Sequence, residues 1–176
     1  MIYYLLIIIG FLTRFIPHPM NFTAVGAIAL FSGYYFKDKR IAFAVPMAVM
    51  LLSDFFLGFY DWKLLASVYL AFAFVVLLGI IIKNKKWFVA LPTSLVGTTA
   101  FFLITNGAVW AFANWYPHTF AGLMLCYAEG LPFVRNNFAG DITYTFLFFG
   151  IAELAIYLSK KMEIKNREKI FTHGKI

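Results

Sequence analysis

The sequence predicts an all-α, polytopic integral membrane protein with six transmembrane helices and one further outer segment. Three observations predict it. Hydrophobic residues make up 62% of the 176 residues and charged residues 13%, against roughly 45–50% and about 25% in soluble domains. With so few charges a water-soluble fold could not cover its own surface. The apolar residues fall into runs of about the length that one bilayer crossing needs, and the basic residues cluster between those runs.

The six runs are 1–16, 20–36, 41–59, 64–82, 87–112 and 138–158. None alternates apolar and polar residues as the strands of a membrane barrel do. Main-chain polar groups in lipid must bond internally, so the runs are expected to be helices. The first two join at Pro17-His18-Pro19, where each proline fixes φ and lacks an N–H. Residues 1–158 read as a single transmembrane domain, and 159–176 as a basic cytoplasmic tail, either a short amphipathic helix or disordered.

Charge placement sets the topology. Lys37, Lys39 and Arg40 form one cluster and Lys83, Lys85 and Lys86 a second. Lys160, Lys161, Lys165, Arg167, Lys169 and Lys175 form a third, so that 12 of the 15 basic residues of this +7 chain follow apolar runs. That is the pattern of cytoplasmic membrane flanks rather than of a nucleic-acid surface. Six crossings put all three clusters and both termini in the cytoplasm. A seventh crossing through 119–134 would put the tail outside. This segment is also short and interrupted by Glu129, Gly130 and Pro132. It therefore reads as an outer re-entrant or interfacial segment, which is tolerated where it is buried in protein or lines a cavity.

No Walker loop, GxGxxG, HExxH or paired cysteine is present, and the three histidines are scattered at 18, 118 and 173. Neither an enzyme nor a resident metal or cofactor is expected. Cys126, the single cysteine, cannot form an intrachain disulfide. It reads as a packed small residue, with a soft-ligand role as the alternative.

The informative residues are the polar ones inside the spans, because a charge at the bilayer centre costs at least about 2.5 kcal/mol. Arg14, His18 and Asn21 lie at the outer end of the first hairpin. Asp54 is about 13 residues up the third span, roughly 20 Å from its inner end. Asn106 and Trp110 lie near the outer end of the fifth, and Asp141 opens the sixth. The outer segment adds Tyr127, with Trp115, His118, Glu129 and Arg135 nearby, while Glu153 alone lies toward the inner half. The functional reading is an outward-facing pocket for a small polar or partly aromatic molecule, with Arg14 as its hub. The structural reading is a set of ion pairs and headgroup contacts. Ala29 and Gly33 form a small-xxx-small pair that lets helices approach, for internal packing or for a partner helix.

The stretch Pro17-His18-Pro19-Met20-Asn21-Phe22-Thr23-Ala24-Val25-Gly26, continuing through Ala29, Phe31 and Gly33, and the stretch Leu52-Ser53-Asp54-Phe55-Phe56-Leu57-Gly58 carry a resemblance. They resemble the first half of the substrate-binding S components of energy-coupling factor (ECF) transporters. Across 11–158 the chain is closer to an uncharacterised bacterial membrane family of transport-type proteins. The segments that carry this likeness are Thr105-Asn106-Gly107-Ala108-Val109-Trp110, Tyr116-Pro117, Ala121-Gly122-Leu123, Cys126-Tyr127, Leu131-Pro132-Phe133 and Gly140-Asp141. The resemblance implies a bacterial inner-membrane subunit that binds a small organic nutrient, a vitamin or precursor. Its partners would be the bilayer, that substrate, and an energising module of one coupling membrane protein and two ATPases. The chain departs from the S-component pattern in its first span, which lacks the small-residue pair used for coupling. The alternative is a non-transport membrane protein, such as a structural partner or assembly factor.

Overall fold

The structure, a computed structural model, describes residues 2–173, with side chains described through 164. It contains six α-helices and, among the described residues, no strand: α1 (Ile2–Thr13), α2 (Val25–Tyr35), α3 (Lys39–Leu57), α4 (Trp62–Ile82), α5 (Ala90–Phe112) and α6 (Phe120–His173). A single 3-10 turn, Trp87–Val89, leads into α5. Four stretches are long and apolar enough to cross a membrane: Lys39–Leu57, Trp62–Ile82, Trp87–Phe112 and Phe120–Ile164. The protein is an all-helical integral membrane protein.

Local chemistry sets the helix ends. The Asp38 carboxylate caps α3 by accepting from the Arg40 N–H at 2.8 Å, and Asp61 caps α4 by accepting from the Lys63 and Leu64 N–H groups. Gly58, at φ 99°, ends α3 in a conformation that side chains disfavour. Pro46 and Pro132 sit inside α3 and α6 without ending them, as membrane helices permit where neighbours re-satisfy the backbone.

The centre of the bundle is α2, with nine of its 11 residues buried. It runs parallel to α4 and α6. Gly33 and Gly79 bring α2 and α4 together backbone to backbone, and a Cβ on either would run into the other helix's main chain. The Ala29/Gly33 pair thus serves internal packing, with Gly79 as the partner on α4. On its other side α2 seats Phe31, Tyr34 and Tyr35 around the buried Phe149 ring of α6, at centroid distances of 5.4, 5.1 and 5.4 Å. One end of the bundle gathers the start of α1 (the Tyr3 ring is 4.9 Å from Phe36), the loop after α2, the loop after α4 and the Glu153 region of α6.

Two expectations are revised. Runs 1–16 and 20–36 were expected to cross in full, but their helical parts are 12 and 11 residues, roughly 18 and 16 Å at 1.5 Å per residue. The chain between them, 14–24, is irregular and leads from the buried Thr13 through exposed stretches at 15–17 and 19–21 to the buried Ala24. The segment 119–134, expected to be re-entrant or interfacial, does not form a re-entrant loop. From Phe120 onward it is helical and continuous with the expected sixth crossing and with the tail, antiparallel to α5, in one helix of 54 residues. Gly130 does not break it because it is a packing site: a Cβ there would come within 2.7 Å of the Asn106 side chain on α5. At roughly 81 Å this helix exceeds the ~30 Å hydrocarbon core, so it projects from it.

Replacing Gly33 or Gly79 by leucine is expected to destabilise the bundle by about 3 kcal/mol or more, since main chain rather than a movable side chain blocks the space. Unfolding in detergent measures it, and an unchanged midpoint would contradict this packing.

Candidate binding cavity

The break between α1 and α2 creates polar main-chain groups that must find partners within the bundle. The Thr13 hydroxyl takes one, accepting from the buried Ala24 N–H at 3.3 Å. At the start of α2, Ala24 supplies no side-chain cap. The carboxylate of Asp141, from α6, lies there instead, directly against Gly26, where any side chain would collide with it. An acidic group at a helix N-terminus meets the positive end of the helix dipole. From α5 the Thr98 hydroxyl donates to Asp141 Oδ2 at 2.5 Å.

A second polar cluster stands across from it. Arg14, just beyond α1, reaches α3 through one nitrogen. Its Nη1 donates to Asp54 Oδ1 at 2.7 Å and to the Ser53 hydroxyl, and lies 3.4 Å from the Met50 sulfur. Asp54 is almost wholly buried, with 2% of its side chain exposed against 18% for Arg14. Its other oxygen accepts from the Tyr69 hydroxyl of α4 at 3.3 Å. Among the described residues Arg14–Asp54 is the one ion pair, and Asp141 has no cation partner.

Between the clusters lies a cavity of about 200 Å³. Arg14, Asn21, Thr23, Tyr60, Asn137 and Asp141 supply its polar wall. Val25 of α2, Val68, Phe72 and Val75 of α4 and Phe101 of α5 supply an apolar one. Burial first and the Asp54 carboxylate second push the Tyr60 hydroxyl above its usual pKa, so Tyr60 offers a neutral O–H. A neighbouring cavity of about 190 Å³ shares Asn21, Phe101 and Asn137 and adds Asn106. Among the described residues, no group of three or more His, Cys, Asp or Glu side chains could hold a metal ion.

Of the eight residues singled out from the sequence, Arg14, Asn21 and Asp141 line the main cavity, with Asp54 directly behind Arg14. Asn106 lines the neighbouring cavity and donates to the Phe102 carbonyl at 2.9 Å. The other three lie elsewhere. His18 turns its Nδ1 toward the Pro19 carbonyl at 2.7 Å. Trp110 donates to the Pro117 carbonyl at 3.0 Å and packs edge-on against His118, fastening the α5–α6 loop. Tyr127 donates to the Leu103 carbonyl at 3.0 Å and so ties α6 to α5. The α5–α6 hairpin thus uses the polar atoms of Trp110 and Tyr127 for its own closure. Tyr116 in the same loop donates to Glu129 at 2.6 Å. This bond raises the Tyr116 pKa to about 12, with burial and the Glu129 charge adding to it. Cys126 is packed, its Sγ 3.4 Å from the Asn106 carbonyl. Thr98, Tyr60, Tyr69 and Asn137 were not anticipated, and Gly26 stood only within the stretch that carries the resemblance.

Arg14→Ala is expected to destabilise the fold by about 3 kcal/mol, because it strands the buried Asp54 carboxylate. Arg14→Met combined with Asp54→Leu is expected to recover most of that loss. Thermal unfolding in detergent measures both, and a double variant no better than the single one would show that the pair does more than neutralise itself.

The model of a family described as "Family of unknown function (DUF6580)" matches residues 1–164. No curated protein and no solved structure matches the chain. The chain belongs to this DUF6580 family.

Proposed function

We propose that the protein is a membrane transport protein that binds a small organic solute bearing a positively charged nitrogen in the cavity between Arg14 and Asp141. The observation that carries this reading is the unpaired carboxylate. Asp141 lines the cavity, accepts from a neutral hydroxyl and faces a helix end. A charge at such depth needs a partner, water or a proton. A cationic nitrogen would be that partner, with Phe72, Phe101 and the valines covering an apolar remainder. Arg14 is not the hub of binding in this reading, because its charge is already met by Asp54.

The chain's architecture supports a transport role by analogy. Transporter sites are commonly built where helices are discontinuous within the membrane and irregular backbone lines a cavity, as residues 14–24 do here. The basic residues Lys37, Lys39, Arg40, Lys83, Lys85 and Lys86 occupy the bundle end opposite the cavity, and the positive-inside rule assigns that end to the cytoplasm of a bacterial inner membrane. Both termini then lie inside and the cavity faces outward. In the S-component-like form of the proposal, a coupling membrane protein and two ATPases would engage the cytoplasmic end and supply the energy.

A second reading, a structural partner or assembly factor, draws on a different observation. The Arg14–Asp54 pair is closed, and Asp141 serves as the cap of α2. Asp141→Asn separates the two readings, because asparagine caps helices about as well as aspartate but cannot pair with a cation. Mass spectrometry of small molecules retained by gently purified protein is the measurement. Under the binding reading, a nitrogen-bearing solute is retained by the native protein and falls about 30-fold in affinity in Asp141→Asn, the ~2 kcal/mol expected for a buried charge contact, with folding intact. Identical small-molecule content in both proteins would overturn it and favour the structural reading.

A further inference from the structure

A second concavity lies at the opposite, basic end of the bundle. It is a groove of about 530 Å³ flanked by α1 and α6 and floored by the end of α2. Tyr3, Phe31, Phe36, Ile41, Ala152 and Ile156 give it an apolar lining, and Lys37 and Asp38 stand at its rim. The α2 rings on its floor are fixed from within: Phe31 packs on Phe148 and Phe149, and Tyr35 donates to Glu153 at 2.8 Å. The groove is therefore a preformed feature of the helix packing.

We infer that this groove holds one anionic phospholipid, with an acyl chain along the α1–α6 cleft and the headgroup at the Lys37–Arg40 loop. The argument is charge and depth together. Lys37, Lys39 and Arg40 are exposed and form no ion pair among the described residues. Lys83 reaches the same place, donating to the Phe36 carbonyl at 2.5 Å. Two acids are close by, and both are engaged: the Asp38 carboxylate caps α3 and Glu153 accepts from Tyr35. Four cations therefore face two committed carboxylates, beside an apolar slot at a helix-bundle end. Basic pockets of this kind between membrane helices favour anionic headgroups. The surrounding solvent supplies that occupant directly, since exposed apolar residues such as Ile2, Leu5 and Ile156 ring the groove and must themselves face lipid. The inference is independent of what the cavity beside Asp141 binds.

The test is native mass spectrometry of the intact protein released from vesicles of equal phosphatidylglycerol and phosphatidylcholine. One retained phosphatidylglycerol per chain is expected, in preference to phosphatidylcholine. Ala155→Trp, at an exposed groove position, fills the slot without disturbing the core, and is expected to remove the bound lipid. Lys37→Ala and Arg40→Ala are expected to weaken retention by about fivefold each, the effect of about one basic residue near an anionic surface. Equal retention of the two lipids would overturn the proposal. So would phosphatidylglycerol retention unchanged in Ala155→Trp, or a dimer that Ala155→Trp abolishes while lipid binding persists, which would make a second copy of the chain the occupant.

Discussion

The structure depends on one constraint: α1 ends and α2 begins at buried residues, Thr13 on one side and Ala24 and Val25 on the other, so the main-chain groups there must be satisfied by protein. An unmet N–H or C=O buried there costs several kcal/mol. The Thr13 hydroxyl meets Ala24, and the Asp141 carboxylate meets the start of α2. These two contacts fix where α2 begins relative to α1 and α6. Since α2 is also the helix on which α4 and α6 pack, the register of the bundle follows. Gly26 and Gly33 lie about two turns apart on α2 for this reason: one admits a carboxylate from α6, the other the backbone of α4.

That arrangement explains which parts of the protein could be read from its sequence. Six helices, the loops between them and the basic end were legible because hydropathy and charge follow bilayer dimensions directly. That Arg14 would meet a carboxylate was legible too, with Asp54 and Asp141 both open as its partner, since opposite charges in apolar surroundings have few alternatives to each other. The partners of Asp141 were not. Thr98 is one of several hydroxyl residues on α5, most of which bond only to their own helix, as Thr105 does to Phe101. The other partner is a helix end, and nothing in composition marks where a helix ends within a long apolar run. Residues 119–134 misled for a related reason. Glu129, Gly130 and Pro132 weaken a helix in water, where propensity decides. Here packing against α5 decides, and Gly130 serves that packing. The polar atoms of Trp110 and Tyr127 bond to the carbonyls of Pro117 and Leu103 instead of lining the cavity, because direction follows from which neighbour offers a carbonyl and not from counting residues.

The roles of the two charged clusters differ because of how each is neutralised. Arg14 and Asp54 form a complete unit: the guanidinium donates to the carboxylate and the neighbouring hydroxyl, and Tyr69 covers the second oxygen. Such a unit can stay closed whatever occupies the cavity. Asp141 is incomplete. A helix end and a neutral hydroxyl orient it, but they bring no full positive charge.

In the proposed binding reading, the same asymmetry bears on the sign of the ligand. In many transporters the N-terminus of a broken helix points at an anionic part of the substrate. In this protein the corresponding helix end, at α2, is already occupied by the protein's own Asp141 carboxylate. The helix dipole therefore cannot also serve an anion from solution without displacing Asp141. What stands at the α2 N-terminus beside the cavity is the protein's own Asp141 carboxyl group. The cationic group nearest the cavity, Arg14, leaves its pair only by stranding the buried Asp54. Both positive features that would attract an anion are thus committed within the protein, and the feature left uncompensated is a carboxylate. Complementarity then favours a cationic nitrogen, with the opposite wall of Val68, Phe72, Val75 and Phe101 suited to a small apolar or ring-shaped body.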